Sequence, residues 1–301
     1  MDKIKFTGIM PALITPVTSQ GKINAETVKK LMDAYYADGV DGFYIVGGTG
    51  EGVLLNSAQR REMAEIVAAN NNNRGKIIVH TGAIDSREVI ELTKHASTLG
   101  VDGISSVPPS FYFSYNMDQT VDFYREMADN TDLPIIVYAN AQCGAGININ
   151  LMMEKLLSIP NICGAKDTRS NYYAMWKLKE LNGGNINIIN GPDECLLCGL
   201  VSGADAGIGA TYGVMADRFV SLYRKFRAGD IDGARKEQSG INQIIQVLLK
   251  YAGSNIVTSL KAALQLQGFD AGNALWPASP LDAAAMKALK NDLKAVGCKV
   301  L

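Results

Sequence analysis

Short runs of β-branched and other apolar residues recur along the chain, each followed by a longer segment whose apolar positions fall at helical spacing. The runs are GIMPALIT (8–15), GFYIVGG (42–48), KIIVHTG (76–82), GISSVPP (103–109), PIIVYAN (134–140), ICGAKDT (162–168), NINIIN (185–190) and ADAGIGA (204–210). They read as eight strands. Helix-start residues precede the segments between them. Asn24 stands before AETVKKLMDAYYADG, which Gly39 closes; Ser57 stands before AQRREMAEIVAAN; Asp85 or Ser86 stands before REVIELTKHASTLG, which Gly100 closes. Strands alternating with helices of this length imply parallel βαβ units.

Eight such units predict an α/β fold, closed as a TIM (β/α)8 barrel. The rival is an open doubly wound sheet, which calls for a dinucleotide fingerprint after an early strand. GGTGEG (47–52) lacks the G-x-G-x-x-G spacing and has no Lys-Ser/Thr ending for a phosphate loop. After residue 210 the strands stop and helical segments follow. The expected division is a barrel over 1–228 and a C-terminal helical extension over 229–301, which covers a barrel face or forms an oligomer contact. No linker-like run marks a second independent domain.

Composition narrows the class. With 301 residues, 47% of them hydrophobic, the chain can bury one large core. A formal net charge of −1, with Lys and Arg spread along the chain, leaves no footprint for nucleic acid but admits small anionic substrates. No apolar run reaches a membrane span. The start, MDKIKFTGIMPALITP, has charges before an apolar stretch, so a signal peptide is the rival reading. The stretch is short, contains Pro11 and Pro16, and leads into the strand-then-helix pattern, so it is taken as the first strand. Five cysteines, Cys143, Cys163, Cys195, Cys198 and Cys298, form an odd set that suits reduced thiols in a cytoplasm.

In a barrel the chemistry sits at the C-terminal ends of the strands. Lys166 is the outlier there, a lysine inside an apolar and small-residue strand. It could point outward to solvent. At the rim of a water-poor mouth, the neutral amine is favoured and is a nucleophile. Tyr138 ends the preceding strand, and adjacent strands lie about 4.8 Å apart. The two side chains can therefore share a pocket as a proton-transfer pair, or Tyr138 is a core aromatic satisfied at the rim. Backbone N–H groups of GGTGEG and the Thr49 hydroxyl can hold a carboxylate; the glycines alone equally suit a tight strand-to-helix turn. Asp193 and Glu194 directly follow the seventh strand. They can accept hydrogen bonds from a polyol or cap the next helix, and both readings stay open. No metal site is predicted. His80 and His95 are the two histidines, and Cys195-x-x-Cys198 lacks a partner pair and reads as two buried helix thiols.

GIMPALITP (8–16), GGTGEG (47–52), Tyr138 after PIIV, GAKDT (164–168), NGPDE (190–194) and GADAGIGATYG (203–213), in this order, resemble the family of dihydrodipicolinate synthase and N-acetylneuraminate lyase. The resemblance covers roughly residues 6–296. It implies the barrel with its helical extension, a homotetramer, and a class I lyase that forms a Schiff base with pyruvate or a 2-oxo acid. Lys166 matches the Schiff-base lysine and Tyr138 the proton-transfer tyrosine. Gly48 and Thr49, with Gly50 beside them, match the carboxylate-binding turn. Tyr112 resembles an aromatic at the active-site edge or dimer contact.

The sialic acid lyase branch fits best. After Gly191, the acidic pair Asp193 and Glu194 matches the stretch that holds the sugar-acid tail, and Thr168 resembles that branch. Gly209 and Ala210 stand where GIG is often followed by a hydroxyl residue. The synthase branch places an arginine just beyond the tyrosine, and YANAQCGAG has none. The implied reaction splits N-acetylneuraminate into N-acetylmannosamine and pyruvate. It needs no metal or organic cofactor, because the imine is the electron sink. An aldolase for another 2-oxo sugar acid, or a non-catalytic sugar-acid binder, are the alternatives. The departures that motivate them are Gly48 where Ser or Thr is usual, Tyr138-Ala-Asn-Ala where Tyr-Asn-x-Pro is usual, and Ala210.

Overall fold

A computed structural model describes residues 2–3, 5–109, 113–140 and 147–301. Tyr112 and Cys143 lie outside the described residues. All the predicted strands form: β1 (Gly8–Pro11), β2 (Gly42–Ile45), β3 (Lys76–His80), β4 (Gly103–Ser106), β5 (Ile135–Ala139), β6 (Ile162–Asp167), β7 (Asn187–Asn190) and β8 (Ala206–Gly209). They pair in parallel in the order β1-β8-β7-β6-β5-β4-β3-β2. A bridge between Ala12 and Tyr44 nearly closes the ring, where Leu13 N–H donates to the Tyr44 carbonyl at 2.9 Å. The fold is thus the expected TIM barrel, not an open sheet.

Alternation along each strand sorts side chains into two apolar layers. Met10, Tyr44, Ile78, Ile136, Ile189 and Ile208 fill the barrel. Ile9, Phe43, Val79, Ile104, Val137 and Ile188 face the helices. Eight helices follow the strands: α1 (Ala25–Asp38), α2 (Ser57–Asn71), α3 (Ser86–Ser97), α4 (Met117–Asp129), α5 (Ile149–Leu156), α6 (Tyr172–Lys179), α7 (Leu196–Val201) and α8 (Ala216–Arg227). The extension consists of α9 (Ile231–Lys250), α10 (Ile256–Leu266) and α11 (Ala283–Ala295). None of the described helices is long and apolar enough to cross a membrane.

Helix ends largely follow the predicted signals. Asn24 accepts from Thr27 N–H, and Gly39 closes α1 at φ 91°, in the left-handed region that glycine takes without penalty. Ser57 is corrected: α2 is capped by Asn56, one residue earlier. Asn56 and Gln59 form a capping box, satisfying two backbone donors where Ser57 alone would satisfy one. Asp85, not Ser86, caps α3. That helix ends at Ser97 with Thr98 as its cap, so Gly100 sits in the turn beyond it.

Candidate active site

One backbone irregularity aims the lysine. Ile135 pairs with Ile162, but Ile136 pairs with Gly164, so Cys163 is an extra residue in β6. A one-residue bulge exchanges the faces of every residue after it. Beyond it Tyr138 pairs with Lys166, and both point into the barrel mouth. The Lys166 amine lies 3.8 Å from the Tyr138 ring centroid and 5.0 Å from that of Tyr44. Lys166 is 6% exposed. Two aromatic faces around one nitrogen stabilise positive charge on it, whether as ammonium or as iminium. On the outward face of the same strand, Asp167 is fully buried and held by Arg169 through two bonds of 2.9 and 2.8 Å.

A cavity of about 510 Å³ opens beside this amine. It gathers most of the predicted residues: Thr49, Tyr138, Lys166, Thr168, Gly191, Asp193, Glu194, Gly209 and Ala210. Gly48 and Gly50 flank Thr49 in the turn but do not line the cavity. The Gly50 carbonyl accepts from the buried Thr15 hydroxyl at 2.7 Å. Gly48 is exposed, and a Cβ there would meet nothing within 4 Å. By contrast, a Cβ on Gly209 would stand 2.2 Å from Asp193 Oδ1, and one on Gly191 would stand 2.6 Å from Thr168 Oγ1. Those two glycines make room for the neighbouring polar side chains.

Asp193 is buried, while Glu194 is exposed. Neither caps α7, which has no side-chain bond at its N-terminus, so the capping reading is withdrawn. Asp193 Oδ2 instead accepts from both the N–H and the hydroxyl of Thr211, each at 2.6 Å. Burial pushes the Asp193 carboxyl up to about 6, and Glu194 adds to this; Thr211 and Lys166 oppose it. The ordinary value is 3.8. Between the two, the native protein holds a proton that the unfolded chain has released. The Asp193 contribution to stability is therefore greatest below about pH 4 and declines as pH rises to about 6, by about 3 kcal/mol. Asp193→Asn is expected to flatten this slope in denaturant melts across that range. Equal slopes in the two proteins would remove the assignment.

Tyr44 and the wall from α9 were not singled out from sequence. Tyr44 shares the barrel with Tyr138, their rings 6.3 Å apart and edge to face, and its hydroxyl donates to Ser105 at 3.2 Å. Its inward parity on β2 was a usable signal. The outer wall comes from α9, where Asn242, Ile245, Gln246 and Leu249 line the cavity. Their spacing places them on one helical face. Asn242 donates to the Glu194 carbonyl at 3.1 Å, and Gln238 to the Asp193 carbonyl at 3.1 Å. His80 lies in the barrel, 6.2 Å from the Tyr138 ring. Burial, then the charges of Arg60 and Lys166, lower its pKa to about 3, so it is neutral near pH 7. His95 instead pairs with Glu65 on the outer surface at 2.8 Å. The cysteine pair is corrected as well: Cys195 is half-buried and Cys198 exposed. α7 buries the face carrying Leu196, Gly199 and Leu200, which turns Cys198 outward.

The model of the dihydrodipicolinate synthetase family matches residues 5–296. An N-acetylneuraminate lyase from Rhizobium meliloti (strain 1021) is 34% identical over 287 residues, covering 95% of this chain and 94% of that one. A solved sialic acid aldolase of Ruminococcus gnavus, a catalytic lysine mutant, superposes with a TM-score of 0.91 at 26% identity, over 97% of this chain and 95% of that one. A prophage protein of the dihydrodipicolinic acid synthase family from E. coli K12, solved with pyruvate, gives 0.91 at 28% identity, over 98% and 99%. This chain belongs to the dihydrodipicolinate synthetase family.

Proposed function

We propose that this protein is a Schiff-base lyase that cleaves N-acetylneuraminate to N-acetylmannosamine and pyruvate. The observation that carries the reading is the Lys166 amine on the face of Tyr138, at 3.8 Å, inside the cavity that also holds Asp193 and Thr168. The names of its relatives support the same reaction class. Lys166 attacks C2 of the open-chain 2-oxo acid, and loss of water gives a protonated imine. The Tyr138 hydroxyl takes the proton of the C4 hydroxyl as it passes its own to the substrate carboxylate, which holds that proton until C3 is protonated. The C3–C4 bond breaks, its electrons flow to the iminium nitrogen, and the aldose leaves. Protonation of the enamine at C3 and hydrolysis release pyruvate and restore the amine.

Thr49 and the N–H groups of residues 48–50 receive the carboxylate; Asp193, Glu194 and Thr168 receive hydroxyls of the tail. Borohydride reduction in the presence of pyruvate, with the adduct mapped by mass spectrometry, tests the imine. A panel of 2-oxo sugar acids tests the acceptor. A non-catalytic binder would form no adduct. The same reading carries a homotetramer, and light scattering that shows only monomer at micromolar concentration would count against it.

An aldolase for another 2-oxo sugar acid is the second reading, motivated by the glycine beside Thr49, Gly48. The resemblance puts a hydroxyl residue there, and the Gly48 backbone does not lie in the left-handed region. Gly48→Ser is therefore expected to fold with stability within about 0.5 kcal/mol of wild type. It should raise kcat for N-acetylneuraminate roughly tenfold if the missing hydroxyl limits proton relay. An unchanged kcat in a folded variant places the relay elsewhere.

A further inference from the structure

The turn offered to the substrate carboxylate is not held by the barrel alone. It begins at Val46 and ends at Glu51, both in the left-handed region with φ 55°. Neither a β-branched residue nor a glutamate favours that conformation, so surrounding contacts must fix it. On the barrel side, the Thr15 hydroxyl donates to the Gly50 carbonyl at 2.7 Å. Glu51 is held from outside it. Its Oε2 accepts from Lys261 Nζ of α10 at 2.7 Å, and its Oε1 from Leu275 N–H at 2.6 Å. Lys261 also donates to the Asn273 carbonyl at 3.0 Å. Both charged side chains are 1% exposed.

A buried ion pair is a weak source of stability, because desolvating both charges offsets their attraction and an apolar pair of similar volume often serves as well. Its distinguishing property is direction. Donors from α10 and from the segment after it converge on one carboxylate, and that carboxylate belongs to the turn. The Glu51 N–H in turn donates to the Gly48 carbonyl at 3.0 Å, and the Gly52 N–H to the Gly47 carbonyl at 3.0 Å. Moving Glu51 therefore moves the two peptide groups that flank Gly48, the second of which carries the Thr49 N–H.

We propose that Glu51 and Lys261 are positioning residues for the substrate carboxylate, through which the helical extension sets the geometry of the turn. This rests on the reading of Lys166 as the imine-forming amine. Borohydride adducts at Lys166 are measured over a series of pyruvate concentrations, and again with hydroxyacetone, a ketone without a carboxylate. The proteins compared are wild type, Glu51→Gln, Lys261→Met and the double variant. The double variant leaves no buried charge unpaired, and it carries the test where a single one fails to fold.

A folded double variant is expected to need about tenfold more pyruvate or higher for half-maximal adduct, with near wild-type yield at saturation and an unchanged hydroxyacetone response. Wild-type half-saturation in that variant, or an equal loss with both ketones, overturns the inference and leaves the reading of Lys166 intact. No adduct at Lys166 in wild type overturns both. Should no variant fold, amide exchange in wild type decides. Bound pyruvate is expected to slow exchange of the Leu275 N–H, and unchanged exchange overturns the inference.

Discussion

Lys166→Ala is expected to abolish both pyruvate trapping by borohydride and turnover. Removing the covalent nucleophile deletes the route rather than weakening one step, so the loss is on the order of 10⁴-fold or more. Among the described residues lining the cavity, Lys166 supplies the one primary amine. The other deeply buried lysine, Lys261, is committed to Glu51 and to the Asn273 carbonyl. The variant should stay folded, since Ile189, Tyr44 and Ile136 fill the barrel below the amine. Circular dichroism and a melting curve check this. Wild-type cleavage in Lys166→Ala, or an adduct that maps to another lysine, would remove the mechanism.

Strand and helix periodicity carried the barrel, because each βα unit must bury a two-sided apolar strand under one apolar helix face, and that requirement is written locally. The positions of Lys166 and Tyr138 at strand ends were legible for the same reason. What aims them was not. The bulge at Cys163 is a property of the β5–β6 register, which depends on which residues pair across strands, and no local pattern in ICGAKDT reports it. The wall from α9 is hidden similarly. Its apolar and amide face at Asn242, Ile245, Gln246 and Leu249 is visible as an amphipathic stripe, but the surface it meets lies far away in sequence. Asp193 shows a third kind of limit. Its choice between capping α7 and accepting from Thr211 was set by Gly209, whose missing side chain leaves room for the carboxylate.

Tyr138→Phe should separate the two tasks of the ring from those of its hydroxyl. Phenylalanine keeps the face that the Lys166 amine approaches at 3.8 Å. It also keeps the edge-to-face packing with Tyr44 and His80, at centroid distances of 6.3 and 6.2 Å. The iminium is therefore stabilised as before, and pyruvate is still trapped at saturation. On the proposed mechanism, only the proton path to and from the C4 hydroxyl is cut. Cleavage is expected to fall by roughly 10²–10⁴-fold, the usual worth of a positioned proton-transfer group. Tyr44→Phe is the comparison, because it removes a hydroxyl that donates to Ser105 and keeps the ring whose centroid lies 5.0 Å from the Lys166 amine. Its cleavage rate is expected to stay within about tenfold of wild type, since a neutral hydrogen bond of this length contributes little. If both variants lose cleavage equally while trapping persists, the Tyr138 hydroxyl has no special part in the bond-breaking step. If Tyr138→Phe also loses trapping at saturating pyruvate, the phenol acts earlier, in forming the imine.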